Sequence, residues 1–388
     1  MHQNSARVCL VASLLAASVF GQTAPAPAQD TAQNPPAAAT PPAAAAPATP
    51  PSPWTKHGID FYLLGDVYYD VNLNHPESGF NQLYNFNVRA NQAHLNLAKF
   101  SMEKASGVVG FRLDVGTGNA LDIASSTDQA PSAMKHFEQV FLEFRPNHLH
   151  GIQFDLGKFV TSAGAEVIET NSNWNYSRSL LFALAIPYYH LGIRATIPVT
   201  KAFTTGVQVV NGWNNVKDNN SGKTVGLVAN YAWKKATWSN NYYTGPEKSH
   251  TNDGFRNLYD TTLLLTPNDK LGAYINFDYG NEKNIGPGSQ KWTGLAVAAR
   301  YQLTKRFAIS PRAEIFDDID GFATGVPQTV KEITLTGEMK LYEGIFSRLE
   351  YRHDNSDKPY YDRGTGIAVA KSQSTVTLGL IAFFGPKK

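Results

Sequence analysis

The stretch Leu271-Gly272-Ala273-Tyr274-Ile275-Asn276-Phe277-Asp278-Tyr279-Gly280 decides the fold. Leu271, Ala273, Ile275, Phe277 and Tyr279 make one face of an extended segment, and Tyr274, Asn276 and Asp278 make the other. Period two marks a strand with two unlike faces. A carboxylate at mid-strand is costly in a packed core and tolerable beside water. The apolar face is therefore predicted to point outward and the polar face into a wet lumen.

The pattern recurs outward from this segment. Phe61, Leu63, Val67, Tyr69 and Val71 alternate with Asp60, Tyr62, Asp66, Tyr68 and Asp70. Similar runs occupy Val109–Gly116, Leu191–Val199, Leu295–Tyr301 and Thr375–Phe384, with Arg112, Arg194 and Arg300 on polar faces. The connections alternate too. Tight turns such as Glu103–Gly107, Val199–Lys201 and Tyr342–Gly344 are followed by long polar loops such as Thr117–Met134, Thr161–Ala185 and Asn355–Lys371. Short turns at one rim and long loops at the other are the pattern of a transmembrane barrel. The reading is an all-β, antiparallel, up-and-down transmembrane β-barrel of about sixteen strands, with fourteen and eighteen also compatible. A closed barrel of that size leaves a water channel. It also has no unpaired edges for hydrocarbon to penalise.

Charged residues are 17% of the 388, below the usual quarter, and aromatics are 12%. A net charge of +2 gives no nucleic-acid footprint. Beyond the N-terminus no stretch reaches the roughly 18 apolar residues of a spanning helix. Arg7 followed by an apolar run from Val8 to Phe20 reads as an export signal over residues 1–21, which contains the single cysteine, Cys9. Residues 22–57, rich in Ala and Pro, read as a disordered periplasmic linker that could contact the cell wall. The barrel is expected over 58–384, with a tail at 385–388. An even strand count puts both barrel ends at the short-turn rim. Trp233, Trp238, Trp292 and the pairs Tyr68–Tyr69, Tyr188–Tyr189 and Tyr242–Tyr243 are expected in interfacial girdles.

A pore filters by its width and by the charges at its narrowest point. The third long loop, Thr161–Ala185, holds Glu166, Glu169 and Arg178 and ends in an apolar run from Leu180. An apolar run in a loop needs something to pack against. Two placements follow: inside the barrel as a constriction, or outside as a flap on other loops. Arg89, Arg112, Arg194 and Arg348 are the wall residues expected to face it. Arg300, Arg312, Arg348 and Arg352 would form a basic wall with Glu166 and Glu169 opposite. The alternative is pairing along the wall, as Arg348-Leu349-Glu350-Tyr351-Arg352 and Arg312-Ala313-Glu314 invite. Asp317, Asp318 and Asp320 suit a hard cation only weakly, because the spacing departs from a full calcium loop. Neither a metal nor another cofactor is expected.

From Glu166 to Phe182 the residues read Glu-Val-Ile-Glu-Thr-Asn-Ser-Asn-Trp-Asn-Tyr-Ser-Arg-Ser-Leu-Leu-Phe. With Ile186-Pro187-Tyr188-Tyr189-His190-Leu191-Gly192-Ile193-Arg194 and Val210-Asn211-Gly212-Trp213-Asn214, the chain resembles the putative β-barrel porin-2, OmpL-like family. The resemblance runs from Gly58 to Phe384 and implies an outer-membrane channel, without a substrate. Such barrels commonly end on an aromatic residue. Here Phe383 and Phe384 are followed by Gly385, Pro386, Lys387 and Lys388.

The leading expectation is a non-enzymatic bacterial outer-membrane porin, seated in lipid and passing small hydrophilic solutes and ions. A homotrimer is the expected assembly by analogy with porins. A plugged structural or adhesive barrel is the alternative, and a barrel enzyme a third. The enzyme would need a Ser–His pair on the outer face. Ser347 and His353 share that face but stand six residues apart.

Overall fold

The computed structural model describes residues 52–105, 107–283 and 288–386. The expected export signal, Cys9, most of the linker, and Lys387 and Lys388 lie outside them. The described residues form β1 (Thr55–Lys56), β2 (Ile59–Asn72), β3 (Ala93–Lys104), β4 (Val109–Thr117), β5 (Phe137–Phe144), β6 (Gln153–Val160), β7 (Tyr189–Pro198), β8 (Phe203–Val210), β9 (Thr224–Trp233) and β10 (Ala236–Pro246). They continue with β11 (Phe255–Asn268), β12 (Leu271–Lys283), β13 (Ser289–Gln302), β14 (Phe307–Asp318), β15 (Gln328–Tyr342), β16 (Ile345–Ser356), β17 (Tyr361–Arg363), β18 (Gly366–Ala370) and β19 (Ser372–Phe384).

Sixteen of these, β2 to β16 and β19, close one barrel of antiparallel neighbours in chain order, and β19 pairs with β2 to complete the circle. The expected count therefore holds. β17 and β18 form a separate hairpin in the last long loop. Pairing starts slightly before the expected Gly58, because Thr55 and Lys56 fold back on Asp60 and Ile59. Trp54 stacks on Phe384, so the barrel's first and last strands share the short-turn rim.

Burial inverts the pattern of a soluble protein. Leu142, Leu156, Ile333 and Leu349 are each more than half exposed, whereas Asp66, Asp70, Asp260 and Asp278 are fully buried. Apolar residues outside and carboxylates inside suit lipid around the barrel and a polar interior. Of the nine expected girdle residues, Trp233, Trp238, Tyr69 and Tyr242 face outward and are exposed. Trp292, Tyr68 and Tyr243 have inward parity and are buried, Tyr188 packs on Phe86 and Phe182, and Tyr189, on the outward parity of Ile193, is buried beside Asp128 of a long loop. Trp292 lies inward over Gly280, where a Cβ would come within 2.0 Å of its ring.

Local irregularities redirect side chains. The β2–β3 register shifts beside Asp66 and Val67, leaving Asn96 as an extra residue. Asn96 and Leu97 are then both buried, and the inward parity of β3 switches so that Lys99 and Ser101 face the lumen.

Candidate functional site

The third long loop, residues 161–188, leaves the barrel between β6 and β7. In the sixteen-strand circle β14 and β15 stand eight places away, directly across. The loop nevertheless touches them. Asn175 Nδ2 donates to Ser310 O of β14 at 2.9 Å and to Thr336 Oγ1 of β15 at 2.7 Å. The loop therefore crosses the lumen, which decides between the two placements considered from sequence.

Its sequence makes this placement possible. The run from Thr170 to Ser179 is rich in Asn and Ser and forms no regular ladder, so its backbone groups need other partners. Wall side chains supply them. Arg348 donates to Thr170 O at 2.7 Å and Asn175 O at 3.0 Å. Arg312 donates to Ser177 O at 2.8 Å, and Arg352 to Arg178 O at 2.7 Å. Glu350 accepts the Tyr176 and Ser177 amides at 2.6 and 2.8 Å, and Glu314 accepts the Leu180 amide at 2.8 Å. The apolar run then packs inward. Leu180, Leu181, Phe182 and Ala185 are buried in one cluster with Phe86, Trp292 and Phe316.

The wall is shaped to receive the loop's larger side chains. Gly379 lies under Tyr176, Gly272 under Trp174 and Gly294 against Leu181; a Cβ at these positions would come within 2.2, 2.9 and 2.6 Å of the loop side chain. Tyr176 also donates its hydroxyl to Asp66 Oδ1 at 2.8 Å, and Trp174 stacks on Tyr274.

The predicted site residues separate into two groups. Glu166, Arg178 and Arg348 hold the loop. Glu166 accepts the Ser179 amide at 2.6 Å and lies 2.9 Å from Arg312. It is thus paired with the basic wall rather than held opposite it across a gap. Arg178 is buried and donates to Val167 O and Ile168 O at 2.7 and 2.6 Å. Arg112, Arg194 and Glu169 keep partial access to water. Arg112 pairs with Asp114 at 2.8 Å, and Arg194 with Asp155 at 2.7 Å. Glu169 meets Lys99, which also contacts Glu138 at 2.6 Å. Burial raises the Glu169 carboxyl, but the Lys99 ammonium offsets this and holds it below its ordinary value.

Arg89 is not on the wall. It lies in the loop between β2 and β3, bridged to Phe80, with its guanidinium 4.3 Å from the Phe80 ring. Left-handed backbone at Phe86 and Asn91 interrupts the apparent strand, and β3 begins only at Ala93. The Asp317–Asp320 group is also reassigned. Asp318 closes its own turn by accepting the Ala323 and Thr324 amides, and among the described residues no three candidate ligands gather around a metal site.

Sequence reasoning passed over Lys99, Glu138, Glu332 and Asp155. Glu332 was within reach, since it shares inward parity with Glu338 on β15 and lies 3.3 Å from Arg312. At the long-loop mouth, Glu247 accepts the Trp213 amide at 2.9 Å and burial pushes its carboxyl up to about 7.

The family described as putative β-barrel porin-2, OmpL-like matches residues 59–384. No curated protein matches the chain. Among solved structures, an anion-selective porin from Comamonas acidovorans aligns with a TM-score of 0.56 at 11% identity, covering 84% of this chain and 99% of that one. OmpT, an outer membrane protein of Vibrio cholerae, aligns at 0.55 and 11%, covering 84% and 97%. OprB from Pseudomonas putida aligns at 0.53 and 12%, covering 84% and 94%. At such identities the likeness is one of fold.

Proposed function

We propose a function from one premise, that the chain belongs to the putative β-barrel porin-2, OmpL-like family: it is an outer-membrane porin for small hydrophilic solutes and ions. Transport is passive diffusion, and the loop Thr161–Ala185 sets the width of the path. One observation carries the finer reading. The wall arginines differ in access to water: the Arg312, Arg348 and Arg352 side chains, which the loop covers, are at most 1% exposed, Arg300, paired with Glu338, keeps 11%, and Arg112 and Arg194 keep 20% and 23%. The loop contacts the wall from β10, where Ser162 meets Asn241, through β12–β16 and β19 to β2 and β3, and the water path runs along β4 to β9. Arg112, Arg194 and Glu169 act there by charge and size. Each has an opposite partner, so ion selectivity is weak.

Deleting Ala165–Tyr176 is expected to raise single-channel conductance in planar bilayers; unchanged conductance would sink the loop's role. A second reading, a plugged barrel, draws support from the loop's fully buried core at Asn175, Leu180 and Leu181. It predicts current only after the deletion, whereas the porin reading predicts stepwise current from the wild type. Residues 1–21 act as the export signal and the Ala/Pro-rich linker stays in the periplasm, where it can reach the cell wall.

A further inference from the structure

The outer face of the barrel is apolar at mid-depth on most strands: Ile275 on β12, Val297 on β13, Leu349 on β16 and Leu378 on β19 are all exposed. β10 and β11 break that rule. Asn240, midway along β10, has the outward parity of Trp238 and Tyr242, and it stands opposite Thr261 of β11. Its Oδ1 accepts the Tyr259 hydroxyl at 2.9 Å and lies 3.0 Å from Thr261 Oγ1. Thr261 Oγ1 accepts Trp238 Nε1–H at 2.9 Å. Nearer the long-loop rim, Asn257 Oδ1 accepts the Tyr242 hydroxyl at 3.1 Å. The network uses the Asn240 carbonyl oxygen and leaves its Nδ2 without a partner among the described residues. A free amide N–H₂ facing hydrocarbon is strongly disfavoured. It is accommodated if protein, not lipid, covers the face.

We propose that the β10–β11 outer face, centred on Asn240 and Thr261, is the contact surface for a second copy of this chain in the membrane. The proposal rests on the outer-membrane reading and goes beyond it by assigning the face. Three features select the occupant. The patch is polar but uncharged, and its amides and hydroxyls can each donate or accept, so it suits a partner of like chemistry. Identical barrels inserted in the same direction are related by an axis along the membrane normal. Their Asn240–Thr261 layers therefore lie at the same depth, whereas an unrelated partner would need polar groups at that height. The size suffices once the flanking β9 and β12 faces, with exposed Leu227 and Ile275, join the polar centre: four strands, at about 4.8 Å per strand and about 25 Å tall, cover roughly 480 Å² on each copy, close to the roughly 1,000 Å² total of a specific interface.

The test uses full-length protein in a Cys9→Ser background, extracted in mild detergent. Wild type is expected to sediment as an oligomer. Asn240→Leu with Thr261→Val is expected to lower the oligomer fraction at least tenfold while the barrel keeps its folded, heat-modifiable gel mobility. An unchanged oligomer fraction would overturn the proposal. In native membranes Tyr242→Cys is expected to cross-link with a bis-maleimide. Val67→Cys, on β2 at the opposite wall, is not. Equal cross-linking at both positions, or none at Tyr242→Cys, also overturns it and does not depend on how the double variant folds. Bilayer recordings separate the two readings. A conducting monomer keeps the porin and removes the interface; an oligomer without current does the reverse.

Discussion

Replacing Gly379 by alanine tests whether the third loop has a fixed seat. A Cβ there would lie 2.2 Å from Tyr176 Cε2 and 2.3 Å from Cδ2. Ordinary contact begins near 3.4 Å, so the ring has to withdraw by 3.4 − 2.2 = 1.2 Å. Tyr176 is tethered at both ends, by its hydroxyl to Asp66 at 2.8 Å and by its amide to Glu350 at 2.6 Å. A shift of that size stretches one of these bonds beyond hydrogen-bond range. Overpacking costs about 1–3 kcal/mol, and losing a hydrogen bond to a charged group about 1.5–3 kcal/mol, so the variant is expected to lose roughly 2.5–6 kcal/mol. Denaturant unfolding reads the loss, and bilayer recording is expected to show higher, noisier open-channel current as the loop leaves its seat. Gly65→Ala is the control, because a Cβ there meets nothing within 4 Å. The decisive measurement is the cycle with Tyr176→Ala. If the reasoning holds, Gly379→Ala becomes nearly neutral in that background. An equal cost with and without the tyrosine ring would refute it.

Lys99→Met leaves Glu138 and Glu169 without their shared cation. It is expected to destabilise the barrel by about 3–5 kcal/mol and to move the reversal potential in a KCl gradient toward cation preference. Glu247 holds its proton to about pH 7 in the folded mouth, whereas the unfolded chain releases it near pH 4.3. Folding therefore binds a proton across that window. The stability it contributes is full at the acid end and falls as pH rises to about 7, by at most about 1.4 kcal/mol per pH unit. Hydrogen exchange around Trp213 should show less protection at pH 8 than at pH 5, and Glu247→Gln should flatten the difference. In single-tryptophan variants, brominated lipid is expected to quench Trp233 and Trp238 and to leave Trp174 and Trp292 bright; quenching of Trp292 would contradict its inward placement.

The outer face was legible in the sequence because lipid imposes one requirement on every strand. Leu271, Ile275 and Phe277 needed no knowledge of their neighbours to be placed. Even so, Lys99 escaped, because the extra residue at Asn96 shifts the parity of β3 and period-two counting has no access to a bulge. Arg89 was misplaced for a related reason: Phe86-Asn87-Val88-Arg89 alternates in sequence, but left-handed residues on either side bend it into a loop.

The interior is a different problem, because parity names a face and not a partner. Arg348 and Glu350 share β16 and looked like a pair. In the fold Arg348 pairs with Glu338 of β15 at 2.8 Å, while Glu350 accepts the loop amides. Gly379 likewise reads as a weak strand residue until Tyr176, some two hundred positions earlier, is seen to rest on it. The wall charges were expected to act as a filter. On the loop side they satisfy the backbone of a segment that has no ladder of its own. Charge in a lumen therefore does not by itself mark a water path. The informative division is between charges that bind the loop and those that retain solvent, and by that division Arg112 and Arg194 keep solvent while Arg312 and Arg348 form the loop's seat.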